Sequence, residues 1–291
     1  MSPTIAVLAP TGLLGNFIVK SLAESGKATV VALHRASSDL SKLPKGVQTR
    51  VLDYESASAA DVHKALEGVD ILVNAVSKAA PDADIRFLEA LATLPKKLTA
   101  YVPSDYSVPW THGEEDDPAN AIVYTKVVAA KKAKELGVQL TPVLNGSFEP
   151  FTFFPGFVGI WLEENKAKFY GKALENPLPV TSPAYLGAGV AQLVTSPEFT
   201  PGKTYTIFEQ SWTGRQLVDA IAKAKGAETT LETFTDAELE GLRANGPLGV
   251  LSGALIKKWG VGEFPEVNPF KPQGVTPRTV ADAVASALGS K

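Results

Sequence analysis

Short apolar runs alternate with longer segments of helical spacing through the first half of the chain. Runs with the length and composition of buried strands lie at residues 4–9, 28–33, 48–52, 69–76, 98–102 and 139–144. Segments with apolar residues spaced for one helix face lie at residues 16–24, 57–66, 83–93 and 121–136. Because strands separated by helices pair in parallel through right-handed crossovers, the pattern predicts an α/β fold with a parallel sheet. Ligands of such sheets bind at the carboxyl ends of the strands.

The pattern changes after Asn145. Residues 146–161 are rich in Phe, Pro and Gly, and we expect them either to line an apolar pocket or to pack as core between two domains. Beyond them the spacing predicts a strand at 203–208 and helices at 184–194, 213–225, 236–245, 248–258 and 277–288. We therefore predict two domains: residues 1–147 hold the sheet, and residues 148–291 form a smaller, mostly helical, substrate-binding region with segments that return to the sheet.

Composition excludes several classes of function. The net charge of −3 over 291 residues gives no electrostatic reason to expect a nucleic acid or an anionic membrane as partner. No apolar run approaches a transmembrane span, and the N-terminus lacks the basic start of a signal peptide. The absence of cysteine excludes thiolate catalysis and cysteine-bound metals, and fits a cytoplasmic protein. His34, His63 and His112 are too scattered to predict a metal site.

The strongest local signal is the turn after the first apolar run, where residues 9–15 read Ala-Pro-Thr-Gly-Leu-Leu-Gly before a helical segment. A strand, a glycine turn and a helix N-terminus direct free N–H groups at one point, which in this kind of fold usually holds a dinucleotide pyrophosphate. We predict that this cradle consists of Thr11, Gly12, Leu13, Leu14 and Gly15. A purely structural turn is the alternative, because Ala9 stands where the motif has its first glycine, and alanine adopts positive φ poorly.

The residues after the second predicted strand indicate which dinucleotide binds. An acid there would bind the ribose 2′-hydroxyl of NAD, but Arg35 follows the strand and no acid precedes Asp39. Arg35 offers a planar, bidentate fork for a 2′-phosphate, and Lys42 adds a second positive charge. These residues predict NADPH, with an ordinary solvated arginine as the alternative.

Several segments, taken in order, resemble the NmrA-like and isoflavone reductase-like group of atypical short-chain dehydrogenases. They are the turn at 9–15, Arg35, the strand at 69–76, V-P-S-D-Y at 102–106, Lys126, T-P-V-L-N-G-S-F at 141–148 and the helix start at 274–279. The chain departs from the group at Ala9 and at Ala184-Tyr185-Leu186, where many relatives carry Asp-Ile or Asp-Val.

The resemblance implies a Rossmann-like parallel sheet with helices on both faces, NADPH as cofactor, and either reductase activity or a nucleotide-sensing role. Reductases of the group act on phenylpropanoid, isoflavonoid and other aromatic or secondary metabolites. The carboxyl ends of the later strands are then expected to border the nicotinamide and the substrate. We expect this border to include Ala75, Val76, Ser104, Asn145, Gly146 and Phe148.

The usual proton donor of short-chain dehydrogenases has no counterpart in the sequence. None of the seven tyrosines has a lysine four residues later, and Tyr124 and Lys126 fall on different faces of a helix. The resemblance implies that Lys126 lies near the nicotinamide, where a lysine serves as general acid or base or binds the ribose hydroxyls. The alternative is a solvated lysine like Lys131, Lys132 and Lys134.

Other polar and aromatic residues remain open to two interpretations. Ser104 and Asp105 either line the site or begin a helix or turn. Asp53 and Tyr54 lie where such proteins often contact adenine, and the alternative for Asp53 is an acid that only forms a turn. The aromatic residues of the segment after Asn145 form a pocket wall or pack in the core. They are Phe148, Phe151, Phe153, Phe154, Phe157 and Trp161.

The leading hypothesis is an NADPH-dependent reductase of a small, apolar, aromatic or polyketide-like metabolite, with Lys126 as catalytic residue. The partners predicted are this small-molecule substrate and, for a sensor, a protein. A nucleotide-responsive regulator without turnover is the second hypothesis, because the Tyr-x-x-x-Lys pair is missing. A redox-neutral isomerase or cyclase on the same fold is the third.

Overall fold

A five-stranded parallel sheet forms the centre of the first half in the computed structural model, which describes residues 2–77, 81–111 and 113–289. Its strands are β1 (Thr4–Leu8), β2 (Thr29–His34), β3 (Gln48–Val51), β4 (Ile71–Asn74) and β5 (Ala100–Val102). The strand order is β3-β2-β1-β4-β5, and every neighbouring pair is parallel. The predicted Rossmann-like sheet is confirmed.

Four helices of the first half lie where the periodicity predicts them, with ends shifted by a few residues. They are α1 (Gly15–Ser25), α2 (Ala59–Ala65), α3 (Pro81–Ala92) and α4 (Ala121–Glu135). One core cluster joins α2, α3 and α4 to one face of the sheet, and α1 packs in the cluster on the opposite face. The two faces alternate along β1, where Ile5 and Val7 face α1 and Ala6 and Leu8 face the other side.

The sheet continues past β5 through two short strands. Leu140 bridges Tyr101 of β5, after which β6 (Val143–Leu144) pairs in parallel with β11 (Tyr205–Thr206). The predicted strands at 139–144 and 203–208 are therefore real but shorter. Pro142 interrupts the first because it has no N–H to donate.

The second half contains more strands than the sequence predicted. Its further strands are β7 (Ser147–Phe148), β8 (Ile160–Trp161), β9 (Lys166–Phe169), β10 (Pro177–Thr181), β12 (Gln210–Thr213) and β13 (Thr230–Thr233). They form two small sheets, with the strand orders β12-β10-β7 and β13-β9-β8. Strand β13 is exposed along its whole length and β10 contains two prolines, so neither shows the apolar alternation on which a strand prediction depends.

The helices of the second half are mostly where predicted. They are α5 (Glu149–Thr152), α6 (Pro183–Val194), α7 (Gly214–Lys225), α8 (Asp236–Gly241), α9 (Gly246–Val261) and α10 (Val280–Gly289). The helix predicted at 236–245 instead ends at Gly241 and continues as a 3₁₀ turn. None of the helices in the described ranges is both long and apolar enough to cross a membrane.

Helix α6 ties the two halves together, because it packs against α1 on the face of the sheet opposite α2 and α3. The approach is close: a Cβ atom on Gly187 would lie 2.4 Å from Cβ of Phe17. Residues beyond 147 therefore complete the core of the first half. The division at residue 147, with later segments that return to the sheet, stays a prediction, and β11 pairs with β6.

Candidate cofactor and active site

The glycine turn forms despite the alanine at its start. Ala9 has φ of 55° and lies in the left-handed region that glycine usually occupies. The N–H of Gly12 donates to the carbonyl oxygen of Ala9 at 3.0 Å, which closes the turn. The replacement of glycine by alanine thus changes the conformational energy of the turn and leaves its path intact.

Gly15 is required by the close approach of α1 to the end of β1. A Cβ atom at this position would lie 2.1 Å from the carbonyl oxygen of Ala9, which no side chain can tolerate. At Gly12 the same test gives 3.2 Å from that oxygen, a tight contact. The absence of a side chain at Gly15 therefore allows α1 to begin close against the end of β1.

The N-terminus of α1 is open to an anion. No side chain caps it, and its first turn contains no acidic residue. The turn borders an open cavity of about 340 Å³, lined by residues 10–13, Asn16, Phe17, Asp39, Lys42 and Leu43. Backbone N–H groups, the positive end of a helix and a lysine together fit a pyrophosphate.

Of the two predicted 2′-phosphate ligands, Lys42 lines this cavity and Arg35 does not. Arg35 is exposed just beyond the end of β2 and its carbonyl oxygen accepts the N–H of Ser38. Asp39 lies on the same cavity wall as Lys42.

Asp53 is exposed after β3, whereas Tyr54 is buried, and the adenine contact stays a prediction. The Asp53 carboxylate accepts the N–H of Glu55, as a turn-forming acid does. The Tyr54 ring is buried against Phe87, and its hydroxyl donates to Asp84. Burial, reinforced by the neighbouring Tyr101 and Asp84, raises the pKa of Tyr54 far above its ordinary value.

Three predicted site residues meet at the carboxyl ends of β4 and β5. The Lys126 amine, on α4, donates to the carbonyl oxygen of Ser104 at 2.7 Å and lies 3.5 Å from Oδ1 of Asp105. The Ser104 hydroxyl donates to the carbonyl oxygen of Val76 at 2.7 Å. Lys126 is thus held inward over the sheet edge with its side chain 30% exposed, unlike Lys131, which is 69% exposed on the same helix.

Asn74 supports the segment predicted to border the nicotinamide and was not singled out from the sequence. It is buried at the end of β4, where its Oδ1 accepts the N–H of Val76 and its Nδ2 donates to the Tyr101 hydroxyl. These two bonds fix the path of Ala75 and Val76. A polar side chain inside the apolar run 69–76 was the signal available in the sequence.

The turn at Asn145 and Gly146 contacts the same loop that holds Lys126. Both N–H groups donate to the carbonyl oxygen of Ser107, at 3.0 and 3.3 Å. Gly146 has φ of 74°, and a Cβ atom there would lie 2.5 Å from the carbonyl oxygen of Pro179. The Asn145 side chain is fully buried, so its predicted part in the cofactor site depends on the turn that it helps to build.

The aromatic residues after Asn145 divide into two groups. The ring centroids of Phe148 and Phe151 lie 6.3 Å apart, and those of Phe151 and Phe157 lie 5.7 Å apart. Phe151 is 46% exposed and Phe154 is 55% exposed. Phe153 packs against the core of the second half, and Trp161 belongs to a separate cluster with Phe234. We call Phe148, Phe151 and Phe154 the aromatic wall.

A buried charged cluster directly follows Phe148 and was also missed. Glu149 accepts from Arg278 at 2.6 Å, while Glu209 accepts the N–H groups of Ser182 and Arg278, both at 2.7 Å. The pKa of Glu149 is raised above its ordinary value, mainly because the carboxyl is buried. The charge of Arg278 opposes this increase, and the charge of Glu209 adds to it. The cluster connects the segment around Arg278, just before α10, to the start of α5 and to the N-terminus of α6.

The two histidines within the described residues bond to the backbone. A ring nitrogen of His34 is within hydrogen-bond distance of the carbonyl oxygen of Arg35, and a ring nitrogen of His63 is within that distance of the carbonyl oxygen of Ala90. His112 lies outside the described residues. Within the described part of the chain, no group of three or more acidic or histidine side chains is arranged to hold a metal ion.

Known proteins resemble this chain in sequence and in structure. Residues 10–134 match a protein family described as NAD(P)H-binding. Oxidoreductase aprR of Aspergillus flavus is 25% identical over 242 residues, which cover 82% of this chain and 79% of that protein.

Three solved structures illustrate the structural similarity. Leucoanthocyanidin reductase of Vitis vinifera in complex with NADPH has a TM-score of 0.76 and 14% identity, and covers 98% of this chain and 99% of its own. An isoflavone reductase has a TM-score of 0.76 and 16% identity over the same shares. The NADPH-dependent quinone oxidoreductase of Escherichia coli, complexed with NADPH, has a TM-score of 0.69 and 20% identity, over 98% of this chain and 100% of its own.

These comparisons establish the fold and the class of cofactor. The chain contains an NAD(P)H-binding domain and shares its Rossmann-like fold with an isoflavone reductase. The predicted nicotinamide dinucleotide and the predicted resemblance to isoflavone reductase-like proteins are confirmed. The sequence relative is an oxidoreductase, and the activity of this chain and the roles of its single residues stay predictions.

Proposed function

We propose that this protein is an NADPH-dependent reductase of a small apolar metabolite, aromatic or polyketide-like, and that hydride reaches an unsaturated or carbonyl carbon. One observation carries the proposal: the loop at 103–107 holds the Lys126 amine and also contacts the turn at 145–146. A lysine amine and the start of the aromatic wall would thus meet at the carboxyl edge of the sheet that binds the dinucleotide.

The cofactor would extend along this edge from the glycine turn. The turn from Thr11 to Gly15 would hold the pyrophosphate through its free N–H groups, with Gly12 allowing a close approach of the backbone, and Arg35 and Lys42 would bind the 2′-phosphate. Ala75, Val76 and Ser104 would border the nicotinamide, as would the segment at 145–148. NADPH in the complexes of leucoanthocyanidin reductase and quinone oxidoreductase supports this choice of cofactor.

Lys126 would manage the proton of the reaction. Bound NADPH supplies a hydride, and the negative charge that it leaves on a substrate oxygen must be met by a proton. An ammonium group has three N–H donors, of which one is taken by the Ser104 carbonyl and another faces Asp105. The third would donate to the substrate oxygen, directly or through a water molecule, and Ser104 and Asp105 would keep the amine in position.

The aromatic wall would select the substrate. Two of its rings are about half exposed, which leaves apolar surface uncovered beside the proposed site. Burying a flat, apolar substrate against these rings is favourable in proportion to the apolar area removed from water.

Titration with NADPH and with NADH, followed by nicotinamide fluorescence, tests the cofactor assignment. We expect NADPH to bind more tightly, and Arg35→Ala to weaken NADPH binding by roughly 1–3 kcal/mol, the scale of a lost charge-assisted contact. Arg215→Ala, at an exposed position on α7, is the matched control and should leave both dissociation constants unchanged.

Each other outcome has a definite meaning. Binding of neither nucleotide would make the glycine turn purely structural and would overturn the reductase. An equal loss of NADPH and NADH affinity in Arg35→Ala would remove Arg35 from the 2′-phosphate site.

A further inference from the structure

Two residues of opposite charge line the cavity beside the glycine turn. Lys42 and Asp39 both line it, together with Gly12 and the first turn of α1. A cavity built only to attract a 2′-phosphate would gain nothing from an acid, because a carboxylate repels the phosphate and partly cancels the lysine. The acid therefore needs an explanation in terms of the ligand.

Local hydrogen bonds hold Asp39 in place as a charged group. Its Oδ1 accepts the N–H of Ser41 at 2.9 Å in a short turn. Hydrogen bonds from Ser41 and then the charge of Lys42 lower the pKa of Asp39 below its ordinary value, so it is ionised at neutral pH. The side chain is exposed, so it can meet a ligand that enters the cavity.

We propose that Asp39 is a specificity-determining residue for the cofactor, one that weakens the preference for NADPH set by Arg35 and Lys42. Its carboxylate opposes a 2′-phosphate in the same cavity. It also offers an acceptor to the 2′-hydroxyl of NADH, which has no charge to repel. The site then accepts both nucleotides with a reduced difference in affinity. This inference rests on the proposed function, because it assumes that the adenosine ribose lies beside this wall.

Asp39→Asn is the appropriate variant, since asparagine keeps the Oδ1 acceptor for the Ser41 N–H and removes only the charge. Dissociation constants for NADPH and NADH would be measured by fluorescence titration at low ionic strength. We expect the ratio of the NADH constant to the NADPH constant to rise about 2- to 5-fold, the range of exposed charge interactions. The change should come mainly from tighter NADPH binding and should shrink in 0.5 M salt, where screening is strong.

Two further variants separate a local effect from a change in net charge. Glu67→Gln removes an equal charge at an exposed position outside the cavity and should leave the ratio unchanged. Lys42→Met should lower the ratio, and adding Asp39→Asn to it should then have a smaller effect than in the wild type.

The outcomes distinguish this inference from the proposed function. If the wild type binds NADPH but the ratio is unchanged or lower in Asp39→Asn, the role of Asp39 is wrong and the reductase stands. A ratio that rises equally in Glu67→Gln would also overturn it, since net charge alone would then explain the effect. Binding of neither nucleotide by the wild type would overturn both.

Discussion

Ala9 combines a left-handed backbone with a side chain that disfavours it. The sequence predicted a glycine turn here, with a purely structural turn as the alternative, because Ala9 stands where the motif has its first glycine. The structure keeps the turn and places alanine at positive φ, because the Gly12 N–H bond and the packing of Gly15 hold the backbone there. The motif predicted the turn and singled out Ala9 as its unfavourable residue, but it could not show that the turn forms with alanine at positive φ.

Ala9→Gly should therefore stabilise the protein. Relief of the left-handed alanine is worth roughly 1–2 kcal/mol, and the extra freedom of glycine in the unfolded chain offsets part of it, leaving about 0.5–1 kcal/mol. Urea unfolding followed by circular dichroism measures the difference.

The control for this change is Ala6→Gly, in the middle of β1, where alanine is fully buried in ordinary strand conformation. That variant should lose stability by about 1 kcal/mol. Equal destabilisation of the two variants would show that Ala9 carries no strain.

At the scale of elements, periodicity located the helices of the first half because each has one buried face with a regular repeat. Continuous apolar runs located strands such as β1 and β4, because these strands are buried on both faces. It could not find β13, which is exposed, or the packing of α6 on α1, which depends on small residues at the contact. The cluster of Glu149, Glu209 and Arg278 was equally hidden. The ion pair joins residues 129 positions apart, and nothing local in the sequence marks either partner.

Arg278→Met should make stability depend strongly on pH through this cluster. Burial already raises the pKa of Glu149, and loss of the arginine should raise it further. Between the pKa of Glu149 in the unfolded chain and its higher pKa in the folded protein, the folded state holds a proton that the unfolded state has released. The free energy of unfolding is therefore retained below the unfolded-state pKa of Glu149 and falls as pH rises through its folded-state pKa. At pH 7 we expect a loss of about 2–3 kcal/mol, less than for a fully buried pair because Arg278 is 32% exposed.

Urea unfolding at pH 5 and pH 7 checks this expectation, and the loss should be smaller at pH 5. Arg243→Met removes a surface arginine paired with Asp117 and Glu240, and should cost less than about 1 kcal/mol at both pH values. A loss in Arg278→Met that is the same at both pH values would mean that its partners do not titrate in this range.

For the whole molecule, the sequence predicted a parallel sheet, a dinucleotide at its carboxyl edge and Lys126 in the site. The structure adds what joins these parts. Ser104 links Val76 to Lys126, and Ser107 links the same loop to the turn that precedes the aromatic wall. Such links are contacts between strand ends that are far apart in the chain, so they become visible only once the strands are in order.

Turnover of NADPH in the presence of a panel of aromatic enones, ketones and quinones tests the central claim most directly. We predict NADPH oxidation by the wild type with at least one compound, and a loss of kcat of at least about 100-fold in Lys126→Met, the scale of general acid catalysis. Lys131→Met, on the exposed side of the same helix, should keep the wild-type rate. If the wild type binds NADPH and oxidises none with any compound, the protein is a nucleotide-binding regulator or a redox-neutral enzyme, and if Lys126→Met retains full turnover, the proton comes from another group.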